Sequence, residues 1–191
     1  MLRADGPGLP TAKTLCSDPT RERVPLEIWN RSGAAGLIGV FHALYAGGHA
    51  EAVSGSVRVD DVPGLTGERF ACYAVQAEQL SELDRTGSHS FSLAEREFEI
   101  FWLVPIENGF AALGLADKFN GPGALHAVER VGPDTCRIAL ADGGELLAWS
   151  ERPPRSVEAG GKELAFRYEP HTRALRMAVS RAQAPQVTLR W

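Results

Sequence analysis

The chain has 191 residues, 44% hydrophobic and 23% charged, the composition of one soluble domain long enough to bury roughly 70% of the surface its unfolded form exposes. Its formal charge of -4 comes from 20 basic and 24 acidic residues, and no stretch gathers Lys or Arg into a face for a run of phosphates, so nucleic acid is not an expected partner. No apolar stretch reaches the ~18 to 20 residues of a membrane span, and no membrane contact is expected.

Cys16, Cys72 and Cys136 are odd in number and lack CxxC spacing, which supports neither a disulfide framework nor a zinc knuckle. Met1-Leu2-Arg3-Ala4-Asp5 lacks the apolar core of a secretory signal. Reduced thiols in a cytoplasmic protein are the expectation.

Residues 1 to about 20 are rich in proline and glycine and show little periodicity, so they read as an irregular loop carrying almost no core. Such loops belong to a functional surface or pack on a body outside the segment. From Val24 the pattern turns to strands. Leu26, Ile28 and Asn30 alternate with Glu27 and Trp29, Arg31-Ser32-Gly33 turns, and residues 36–41 return as a nearly continuous apolar run. This is a hairpin. Gly36 and Gly39 inside the return strand require a backbone or a bulky ring lying close, and Trp29 is the ring expected there.

Further strands are predicted at 53–59, 69–75, 88–93, 97–104, 123–130, 135–141, 145–150, 164–168, 174–179 and 187–191, the spacing of an all-β antiparallel sandwich. Asp142-Gly143-Gly144 predicts a hairpin turn, because an Asp-Gly pair tolerates positive φ. Gly160-Gly161 and Glu169-Pro170-His171-Thr172 are weaker turn signals. Only 75–83 and 115–119 could hold a helical turn, and both are too short to stand alone.

Cleavage by paired carboxyl groups needs two acids on opposite sides of the scissile bond. The adjacent Asp60-Asp61 cannot supply that and reads as turn formation, while Glu95, Glu97 and Glu99 occupy the polar phase of a strand and read as a solvated face. His42, His49, His89, His126 and His171 form no HxH or HExxH arrangement, so no metal site is predicted. There is no GxSxG elbow; Ser54-Gly55-Ser56 lies inside a strand. The glycines of Gly114-Leu115 and Asn120-Gly121-Pro122-Gly123 have turn spacing without a following helix, so neither a phosphate loop nor a dinucleotide fingerprint is present and no cofactor is expected. Trp29, Trp102, Trp149 and Trp191 sit in β-patterned segments, which favours core over a sugar-stacking platform. Phe98, Ile100 and Trp102 alternate with Glu97, Glu99 and Phe101, so that strand is expected to pack on both faces.

Several motifs stand together: Leu2-Arg3 followed by Pro10-Thr11-x-x-x-Leu15-x-x-Asp18-Pro19, then Leu26-x-Ile28-Trp29-Asn30 and Gly36-x-Ile38-Gly39-Val40-Phe41. Later ones are Phe98-Glu99 with Val104-Pro105-Ile106, and Leu113-Gly114-Leu115-x-x-x-x-Asn120-x-x-Gly123-Ala124. Taken together they resemble the C-terminal part of the raffinose synthase and seed imbibition protein family, alkaline α-galactosidase-like glycosidases of the broad group of family 36. Where the family usually has Arg-Asp-Cys after Pro-Thr, this chain has Ala12, Lys13 and Thr14, and the usual Asn-Cys closing the first hairpin is His42-Ala43.

The resemblance implies a (β/α)₈ barrel with two catalytic aspartates followed by an antiparallel β-sandwich. A barrel takes about 250 residues, so residues 1–22 are expected to be its last strand end and loop, and residues 23–191 the sandwich. The catalytic carboxylates would lie on earlier strands, and no catalytic residue is assigned to this chain. Arg3 and Asp5 would stand at the mouth of the pocket, as loop anchors ahead of sugar contacts. The expected partners are α-galactosides, reached through the barrel, and the barrel itself; the isolated chain is expected to be inactive. Without the barrel, residues 1 to about 20 are expected to be mobile and the first hairpin to expose an apolar surface. The alternative is a free-standing β-sandwich that binds carbohydrate or a separately encoded barrel, with exposed aromatic rings on one sheet face.

Overall fold

Strands in antiparallel sheets dominate the computed structural model, which describes residues 6–45, 51–181 and 186–191. Two compact units divide the chain, one ending at Pro105 and the other running from Ile106 to Trp191. The strands that the sequence reading gathers into one sandwich are thus shared between two units, each with its own core.

The N-terminal unit holds β1 (Leu9–Pro10), α1 (Ala12–Leu15), β2 (Leu26–Ser32), β3 (Ala35–Phe41), β4 (Val53–Arg58), β5 (Arg69–Ala74), β6 (Gln79–Asp84), β7 (Ser88–Leu93) and β8 (Phe98–Pro105). Six strands form one sheet in the order β1-β2-β3-β8-β5-β6, and β4 pairs with β7 as a separate ribbon. Alternate residues of β3, β5 and β8 (Ile38, Val40, Phe70, Cys72, Phe101, Leu103) meet Val53, Val57 and Leu93 of the ribbon in one core. Each large apolar side chain so buried contributes about 1.5–3 kcal/mol.

Four local expectations change in this unit. The N-terminal segment expected to read as an irregular loop, the seam to the expected barrel, is not wholly irregular: β1 pairs with β2, Leu9 opposite Trp29, and α1 makes one turn. At Gly36 the close neighbours are Leu65 and Val62, and at Gly39 the ring of Phe41, not Trp29; Trp29 pairs with Ile38, on the face opposite Gly39. Residues 75–83 form no helical turn but a hairpin, with Ala74 opposite Gln79 and Glu78 at φ 51°. Glu99 is not solvated. It is 6% exposed, and its carboxylate accepts from the backbone N–H groups of Gln76 (2.7 Å), Ala77 (2.9 Å) and Ile100 (2.8 Å). A charged acceptor satisfying turn donors is a tertiary partnership that the alternation of a single strand cannot show.

The C-terminal unit holds β9 (Phe110–Leu115), β10 (Leu125–Arg130), β11 (Thr135–Leu140), β12 (Gly144–Ser150), β13 (Ser156–Ala159), β14 (Lys162–Glu163), β15 (Arg167–Glu169), β16 (Ala174–Val179) and β17 (Gln186–Arg190). A five-stranded sheet, β10-β11-β17-β13-β14, faces a four-stranded one, β15-β16-β12-β9. Between them lie Cys136, Ile138, Leu140, Val187 and Leu189 on one side and Leu115, Leu146, Leu175 and Met177 on the other. This is the expected antiparallel sandwich. Trp191 closes its end, donating Nε1–H to Ser150 Oγ and the Arg152 carbonyl at 3.1 Å each.

Gly160-Gly161 forms the expected tight turn between β13 and β14, and residues 169–174 join β15 to β16. Asp142-Gly143-Gly144 does not form a hairpin. β11 lies between β10 and β17 and β12 between β16 and β9, so this segment carries the chain from one sheet to the other. Its glycines answer close approach instead: a Cβ at Gly143 would stand 2.4 Å from the Arg181 nitrogen, and one at Gly144 2.3 Å from Asp117 Oδ1.

Candidate functional site

The acidic groups that come together do so in the N-terminal unit, where β1 and α1 lie against the start of β2. Proline-bounded and short, α1 exists because Thr11 caps it: its Oγ1 accepts from Thr14 N at 3.4 Å. Thr11 N donates to the Glu27 carbonyl at 3.0 Å. Thr14 bonds the same residue twice, its Oγ1 donating to the Glu27 carbonyl (3.1 Å) and accepting from Glu27 N (2.9 Å). The Pro-Thr motif thereby fixes the seam segment to β2.

Lys13, on the exposed side of α1, reaches across. Its Nζ donates to the Ser56 carbonyl and Asp61 Oδ2 at 2.6 Å each, and to Glu27 Oε2 at 3.4 Å. The Glu27 side chain is 2% exposed and also accepts from Thr11 Oγ1 at 3.3 Å. Burial pushes the Glu27 carboxyl above its ordinary range; the Lys13 ammonium opposes that shift and the Asp61 carboxylate reinforces it. Asp61 sits in the short turn after β4 and accepts from Arg58 N at 2.8 Å, the turn role expected of it. One ammonium therefore serves two carboxylates from separate segments. Such a cluster ties α1, β2 and the β4 turn together; it presents no acid to an open cleft.

Among the other expected candidates, Arg3, Asp5 and His49 lie outside the described residues. His42 Nε2 contacts the Glu51 carbonyl at 2.9 Å, whereas His89 Nδ1 stands 3.3 Å from Ser81 Oγ and its ring lies against Phe101. Burial lowers the His89 pKa. No group of three His, Cys, Asp or Glu able to hold a metal occurs among the described residues. Cys72 and Cys136 are buried, and desolvation pushes the Cys72 thiol up to about 12, which makes it a packing group rather than a nucleophile. Trp102, Trp149 and Trp191 are buried. A concavity of about 50 Å³ lined by Asn108, Gly109, Arg130, Glu151 and Trp191 is far below the ~300 Å³ at which small-molecule sites begin. Sequence reasoning missed Lys13 and Glu27; no spacing signal links them.

Comparison with known proteins agrees with the motif pattern. The model of the raffinose synthase or seed imbibition protein Sip1 family matches residues 1–179, and the chain belongs to that family. A rice galactinol–sucrose galactosyltransferase (Oryza sativa subsp. japonica) is 29% identical over 88% of this chain and 25% of its own length. The probable galactinol–sucrose galactosyltransferase 1 of Arabidopsis thaliana is 32% identical over 90% of this chain and 27% of its own. The chain thus spans about a quarter of the length of these relatives. A solved Bacillus halodurans protein described as an alpha-N-acetylgalactosaminidase aligns with 44% of this chain and 19% of its own at 16% identity and a TM-score of 0.36, too slight a likeness to argue from.

Proposed function

We propose that this chain is the non-catalytic C-terminal part of a galactosyl-processing enzyme and that it packs on the domain that carries the chemistry. The whole protein cleaves or transfers α-galactosyl units by a retaining double displacement. A carboxylate nucleophile takes the galactosyl group, forming a glycosyl-enzyme bond as the leaving oxygen accepts a proton from a second carboxyl. That carboxyl then removes a proton from the incoming hydroxyl, of water or of an acceptor sugar, which displaces the nucleophile. In this reading residues 1–22 are the last strand end and loop of a (β/α)₈ barrel, with Arg3 and Asp5 at the mouth of its pocket. A cytoplasmic setting suits three cysteines that are all free thiols.

The observation that carries this reading is the disposition of the acids: Glu27 and Asp61 share the Lys13 ammonium instead of standing apart across a sugar-sized space. The relatives' extra length, about three-quarters of each, leaves room for a catalytic domain. Purified residues 1–191 are expected to show no turnover of an aryl α-galactoside. The full-length protein is expected to release or transfer galactose from galactinol, with sucrose as the acceptor to try first. Measurable turnover by residues 1–191 would overturn the non-catalytic assignment.

A further inference from the structure

The six-stranded sheet of the N-terminal unit has a second face, turned away from its core. Cross-strand register lays three rows on it: Leu26–Phe41–Phe98, Ile28–Gly39–Ile100 and Asn30–Leu37–Trp102. Alternation puts these opposite Glu27, Ile38, Val40 and Phe101. None is charged. Trp102 is fully buried, but Leu26, Ile28, Leu37, Phe41 and Ile100 are only half-buried and Phe98 is 37% exposed. Toward β2 this face is therefore open among the described residues of its unit. The Phe41 ring folds over Gly39 and stacks on Phe98, centroids 6.0 Å apart at 20°, a flat aromatic pair in the first row.

The chemistry of the face selects its occupant. A sugar needs convergent polar groups for its hydroxyls, and the one polar side chain here is Asn30. Its amide is already engaged, Nδ2 donating to the Gly6 carbonyl at 3.0 Å and Oδ1 accepting from Arg31 N at 2.6 Å. Leu, Ile and Phe in a contiguous uncharged array fit an apolar protein surface. Gly6 stands beside this face, and β1 edges the same sheet. The relatives carry about three times this chain's length again.

We infer that the Leu26–Phe41–Phe98 face is the seat of the catalytic domain encoded ahead of this chain, met through an apolar patch of that domain; this rests on the reading of the chain as a C-terminal part. Hydroxyl-radical footprinting of the full-length protein beside residues 1–191 tests it. Oxidation of Phe41 and Phe98 is expected to fall at least threefold in the full-length protein, while Phe119 and Val128 are labelled equally in both. Equal labelling of Phe98 in a full-length protein that processes α-galactosides overturns the face and leaves the functional reading standing. A coding sequence with no domain ahead of Met1 removes both. Protection of Phe98 in residues 1–191 alone, either by galactose or sucrose or in step with formation of a dimer, assigns the face to a sugar or to a second copy and overturns the inference.

Discussion

Lys13 decides how firmly the N-terminal segment is held. Replacing it with Met keeps the aliphatic stem and removes the charge, leaving Glu27 buried beside Asp61 without that ammonium. Breaking a fully buried pair costs about 3–5 kcal/mol, but Lys13 is 41% exposed and water screens part of the loss, so K13M is expected to cost roughly 1–2 kcal/mol in urea denaturation at neutral pH. The pH dependence belongs to Glu27. Its carboxyl holds a proton more tightly in the folded chain than at its ordinary value of 4.5, so its stabilising contribution is full below that value and is lost as pH rises through the raised one. Urea titrations of wild type and E27Q from pH 4 to 8 are expected to show wild type losing stability relative to the variant across that rise; parallel curves would refute the assignment. Little of this cluster was legible beforehand. Pro10-Thr11 stood out as a motif, but Lys13 looked like a mere departure from the family pattern, and Glu27 sat in the polar phase of a strand. The 14 residues from Lys13 to Glu27 and 48 to Asp61 are closed only by the fold.

At the scale of single elements, most strands were readable, β5 and β12 included although they are buried along most of their length, and β9 was not. β2, β3, β8 and β16 follow period 2 or a continuous apolar run long enough to mark. β9 does not: all six of its residues are buried, and Phe-Ala-Ala-Leu-Gly-Leu offers no polar phase to count. Its Gly114 marks a bulge, because Leu147 pairs with Gly114 and Ala148 with Ala112. Here φ is 112° and a Cβ would stand 2.1 Å from the Gly121 carbonyl oxygen, a backbone atom that cannot swing away. Gly33, in the turn between β2 and β3, also has positive φ, 61°, but a Cβ there would meet nothing within 4 Å. G33A is therefore expected to cost about 1 kcal/mol, and G114A upwards of ~4 kcal/mol or the fold of the C-terminal unit. Thermal denaturation of the two variants checks the order; similar losses would mean the bulge yields. Glu99 repeats the lesson for turns. E99A strips an acceptor from three backbone amides and is expected to cost about 2–3 kcal/mol, with faster hydrogen exchange at Gln76 and Ala77.

For the molecule as a whole, each unit closes its own core, and three large apolar side chains of the N-terminal unit stay exposed near its seam. Leu15 is 71% and Tyr45 83% exposed, with Leu9 at 45%; the Tyr45 amide donates to the Thr20 carbonyl, which brings Tyr45 to the same segment. Apolar groups so placed bury little area within the chain, so they stabilise it little and raise its tendency to associate. The double variant L15S, Y45S is therefore expected to unfold within about 0.5 kcal/mol of wild type while remaining soluble at higher ammonium sulfate, a salt that strengthens apolar association. A large loss of stability would show that these side chains pack more closely than their exposure states, and unchanged solubility would show that the seam does not govern association. If the seam is covered in the full-length protein, the same variant there should lose stability that it does not lose in residues 1–191, because only in the longer chain do Leu15 and Tyr45 have a surface to leave.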